Sequence, residues 1–72
     1  MENFIEEILS QLIAEANEIK ANASDDFEKG KLFGYYESIS KLLTLSEVFS
    51  VFDKLPVYLQ EFEPESLLNE IN

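Results

Sequence analysis

The side chains that could do chemistry in this chain are almost all carboxylates. Glu6 stands beside Glu7, and Asp25 beside Asp26. Paired acids can serve general acid–base catalysis when burial or a like charge drives their pKa values apart. Both pairs fall where the pattern places an exposed helix face or a helix start, positions at which an acid is ordinarily solvated. Ser38 and Lys41 have the Ser-x-x-Lys spacing of an activated serine, but the partner motifs of that chemistry are missing. The chain has no histidine and no cysteine. That removes the commonest general base, the strongest nucleophile and the thiolate and imidazole ligands of zinc. Di-iron helix bundles use Glu-x-x-His pairs, and calcium loops set oxygen ligands around a glycine; neither pattern occurs. The expectation is a protein that is not an enzyme and uses no cofactor or metal.

A steric pattern is more specific. The stretch FEKGKLFGYYES, residues 27–38, holds both glycines of the chain. Glycine inside a helix costs roughly 1 kcal/mol against alanine, yet the surroundings read as helical. Gly30, Gly34 and Ser38 recur every four residues and so form one small-residue column, with Phe27 and Leu45 above and below it. Such a column lets two helix backbones approach closely. Phe27, Gly30, Gly34 and Ser38 are therefore expected to form a helix-packing or self-association strip. Tyr35, Tyr36, Phe49 and Phe52 are the expected surface for a partner. The strip has three conceivable occupants: the C-terminal segment of the same chain, a second copy, or an external ligand.

These residues need helices to position them. Ile5, Ile8, Leu9, Leu12, Ala16, Ile19 and Ala23 form one stripe at helical spacing, widened by Phe4 and Ile13, which predicts a helix over residues 2–22. Glu2, Glu6 and Glu7 favour the positive end of its dipole, and Ser10 falls on its outer face. A short turn at residues 22–24 leads to a second helix that Asp25 can cap, with Glu28 three residues on. It is expected over residues 25–43, with an extension to 54 as the alternative to a fresh start at Thr44-Leu45-Ser46-Glu47. The apolar run from Leu45 to Leu55 predicts burial on more than one side. Short helical pieces are expected at residues 56–62 and at 64–71, where Leu67, Leu68 and Ile71 share a side, and these should cap the open end of the hairpin. The fold class is all-α: one small helical domain, an antiparallel hairpin with short C-terminal helical segments. A four-helix bundle made by a homodimer is the assembled form to be expected if the chain self-associates.

The chain has 72 residues and a formal charge of −10, with fifteen acids, five lysines and no arginine. A core this small supplies only about 3–5 kcal/mol unaided, which favours very good packing or self-association. Phosphate binding relies on Lys and Arg, so direct contact with nucleic acid or an anionic membrane is not expected. No apolar run approaches the length of a membrane span, and the acidic start does not suit a secretory signal; a cytoplasmic location is expected. The functional expectation is a non-catalytic, acidic, helical interaction or regulatory protein that forms a homodimer and binds another protein. The alternative is a nucleic-acid mimic that inhibits a basic DNA- or RNA-binding protein.

Overall fold

The computed structural model describes residues 2–68. Within them the chain forms α1 (Glu2–Asn22), α2 (Asp26–Val48), a 3₁₀ turn at Phe52–Lys54, α3 (Val57–Gln60) and a second 3₁₀ turn at Pro64–Leu67. The side chain of Glu2 and the last expected helical residues, Ile71 among them, lie outside what is described. Helices α1 and α2 pack along each other as a hairpin, and the molecule measures 38 × 17 × 17 Å.

Local chemistry sets both ends of α2. Asp25 caps its start: the carboxylate Oδ1 accepts the Glu28 backbone N–H at 2.9 Å, satisfying one of the donors that the first turn leaves free. The capping pattern at Thr44 starts nothing, because α2 runs through it to Val48. Ser50 ends the helix, short of the extension to 54. Its φ is 62°, in the left-handed region. Its N–H donates to the Glu47 carbonyl at 3.1 Å, while the Val51 N–H donates to the Ser46 carbonyl at 2.9 Å. This bond pair is a Schellman motif, which is usually built on glycine. The chain reverses there, so the apolar run 45–55 does not bury all round: Val51 and Leu55 turn into the core while Leu45, Val48 and Phe49 stay exposed.

The core combines Ile5, Leu9, Ile13 and Ala16 of α1, Leu32 and Ile39 of α2, and Val51, Leu55, Leu59 and Leu67 of the segment that follows. The α1 stripe is rotated from the expected one. Ile13, expected at its edge, is buried, while Ile8, Leu12 and Ile19 are half-buried and Phe4 is 66 % exposed. The cause is the path of the C-terminal segment, which does not cap the open end of the hairpin. It folds back along the hairpin toward the turn, on the Ile13 side of α1. The Tyr58 hydroxyl bonds Ser10 Oγ at 2.6 Å, and Lys20 Nζ, near the other end of α1, donates to the Ser66 carbonyl. Gln60 Nε2 donates to the Leu55 carbonyl at 2.7 Å and fixes the bend into α3. Leu59 and Leu67 are fully buried, each contributing roughly 1.5–3 kcal/mol by leaving water. The segment is thus a third structural layer. Ser46, the one polar residue buried among the described residues, donates to the Leu43 carbonyl through Oγ at 2.6 Å.

Candidate functional site

The C-terminal segment covers one side of the hairpin and leaves the other open. The open side presents the outer face of α2. Phe27 is 74 % exposed, and Gly30, Gly34 and Ser38 are exposed below it. A methyl group built on either glycine would meet no neighbouring element within 4 Å. Among the described residues, then, nothing packs against the glycines of the strip, and the C-terminal segment as far as Leu68 packs elsewhere.

Between α2 and α1 the open side holds a groove of about 340 Å³, lined by Leu12, Lys31, Gly34, Tyr35 and Ser38. Gly34 keeps it open: a long side chain at residue 34, such as leucine, would project into the space. Tyr35 forms one wall, and its hydroxyl donates to Glu15 Oε1 across the helix pair at 2.9 Å. That bond, with partial desolvation and the negative charge of Glu15, raises the phenol pKa above its ordinary value. Lys31 extends over the Phe27 ring, with Nζ 5.6 Å from the centroid, a distance at which a cation is attracted to the ring face.

The four residues expected to meet a partner divide into two kinds. Tyr35, Tyr36 and Phe52 are half-buried against the core, so much of each ring serves the fold. Phe49 is 59 % exposed at the foot of α2, beside Val48 and Leu45, which are also exposed. Leu12, Lys31 and Val48 lie outside the expected strip, whereas Leu45 bounds it as expected. A signal for two of the three is present: Phe27, Lys31, Gly34, Ser38, Lys41, Leu45 and Val48 follow one another at alternating steps of four and three. That is the heptad seam of a helix that meets another helix. Leu12 has no such signal, since it belongs equally to the core stripe of α1.

The arrangement offers little for catalysis. Among the described residues, no group of three or more His, Cys, Asp or Glu side chains could hold a metal ion. No described helix is long and apolar enough to cross a membrane. What the open side offers is a shaped, mostly apolar contact surface with lysines at its margins. No protein-family model, curated protein or solved structure matches this chain.

Proposed function

We propose that this is a non-catalytic helical interaction protein that self-associates through the open face of α2, two hairpins making a four-helix bundle. The observation that carries the reading is the uncovered strip. Two glycines stand inside α2 at a cost of roughly 1 kcal/mol each, and none of the described residues occupies the space they leave. Large apolar side chains, Phe27 above and Leu45, Val48 and Phe49 below, are exposed on the same helix. Large apolar side chains exposed together, as Leu45, Val48 and Phe49 are, are characteristic of a protein contact. A second hairpin would bury it and enlarge a core that is small for a lone chain.

Sedimentation velocity across micromolar concentrations tests this reading. The expected result is a concentration-dependent species at twice the 8.3 kDa chain mass. A single 8.3 kDa species throughout that range refutes it.

A further inference from the structure

The open face of α2 is lopsided. Past Phe27 at its N-terminal end, and beside Lys31, the face is small at Gly30, Gly34 and Ser38, whereas its C-terminal half is large, with Leu45, Val48 and Phe49; all of these are exposed. We propose that the occupant of this face is α2 of a second copy, running antiparallel and crossing near Ile39. This rests on the self-association reading above and adds orientation and register to it.

Three features point to that pairing. The first is shape. An antiparallel crossing at Ile39 brings Val48 of each copy opposite Gly30 of the other, and Leu45 opposite Gly34, large on small at both ends. A parallel pairing would set glycine on glycine, leaving a void, and crowd the large residues together; voids and overpacking both destabilise.

The second is the groove. Lys31, Gly34, Tyr35 and Ser38 stand at positions i, i+3, i+4 and i+7, the four residues that form the hole for a knob from a facing helix. They already line an open groove, and the antiparallel register directs Leu45 of the second copy into it.

The third is charge. Glu37 and Lys41 are exposed one turn apart on the same flank of the face. Antiparallel pairing sets Glu37 of each copy beside Lys41 of the other, twice, close to the crossing point. The parallel alternative brings Lys41 against Lys41. For a chain of net charge −10, whose copies repel each other, the register that engages the lysines of this face is the favoured one.

The absence of cysteine from the whole chain makes the register directly measurable. Gly34→Cys and Leu45→Cys are prepared separately, mixed while reduced, oxidised mildly, and the products resolved by intact mass, with circular dichroism confirming that each variant is folded. The expected product is the mixed disulfide between the two variants. It should exceed either same-residue disulfide by about tenfold or more, because Cα atoms must come within about 7 Å for the bond to close. Ser38→Cys, near the crossing point, should cross-link to itself. If sedimentation shows a dimer but the same-residue disulfides dominate, or no disulfide forms, the antiparallel register is overturned and self-association stands. If the chain stays monomeric, both fall. A second measurement mixes Glu37→Lys with Lys41→Glu: the expected outcome is a heterodimer favoured over both homodimers, and equal populations overturn the proposed ion pairs.

Discussion

Replacing Gly30 and Gly34 with alanine should make the isolated chain more stable. Both residues lie inside α2, neither has a positive φ, and an added methyl on either meets no neighbouring element within 4 Å. The substitution therefore loses no contact and introduces no clash. What remains is intrinsic helix propensity together with the reduced freedom of the unfolded chain, about 1 kcal/mol per site. The two sites are neighbours one turn apart, so their sum, about 2 kcal/mol, is the upper figure for the double variant. For a domain of this size that corresponds to a rise in Tm of about 8–16 °C. The measurement is urea or thermal unfolding followed by circular dichroism, at concentrations dilute enough to keep the chain monomeric. Were either alanine variant less stable than the parent under those conditions, some part of the chain would have to pack on the strip, and the open-face description would be wrong. The association measurement should respond differently. Gly34→Leu fills the groove that Leu45 of the second copy needs, so it should weaken dimerisation while leaving monomer stability unharmed. Ala14→Leu, on the exposed side of α1, is the matched control and should change neither. Ser10 is unsuited to that role, because its hydroxyl bonds Tyr58 and helps hold the C-terminal layer.

Ser50→Gly should stabilise the fold by about 1 kcal/mol, since a side chain in the left-handed region costs about 1–2 kcal/mol that glycine avoids; unchanged or lower stability in urea titration would show that Ser50 is not the helix stop. The Tyr35–Glu15 bond should make stability fall at alkaline pH. Because the folded-state phenol pKa is raised, the folded state holds the proton more tightly than the unfolded chain, whose value is about 10. The contribution is therefore complete below pH about 10 and is lost as pH rises through the folded-state value. Tyr35→Phe should remove this part of the alkaline decline, and an identical decline in parent and variant would disprove the assignment.

The helices are legible because single residues within them have one regular interpretation. Ile5, Leu9, Ile13 and Ala16 are spaced as only one face of a helix is, and Asp25 with Glu28 marks a helix start that the 2.9 Å cap bond realises. The end of α2 is not legible in the same way. Ser50 is an ordinary loop residue by type; its left-handed conformation follows from Val51 and Leu55 turning into the core, a tertiary demand that a local pattern does not carry. Thr44-Leu45-Ser46-Glu47 shows the reverse case, a local start signal overruled by a continuous helix in which Ser46 is buried and bonds within the same helix.

The site was half legible for a related reason. Spacing alone identifies Gly30, Gly34 and Ser38 as one column, but not what faces it. That depends on which side of the hairpin Leu59 and Leu67 reach, and the stripe of α1 is broad enough to receive them on either flank. The bonds from Ser10 to Tyr58 and from Lys20 to Ser66 decide the matter for the Ile13 flank. Once the C-terminal layer is committed there, it cannot also cover the glycine column. Among the described residues nothing then packs on the glycines, and a partner on the open face is what the proposal supplies to offset their helix cost. This is why covering the open face, rather than any chemistry at the carboxylates, is the property to measure first.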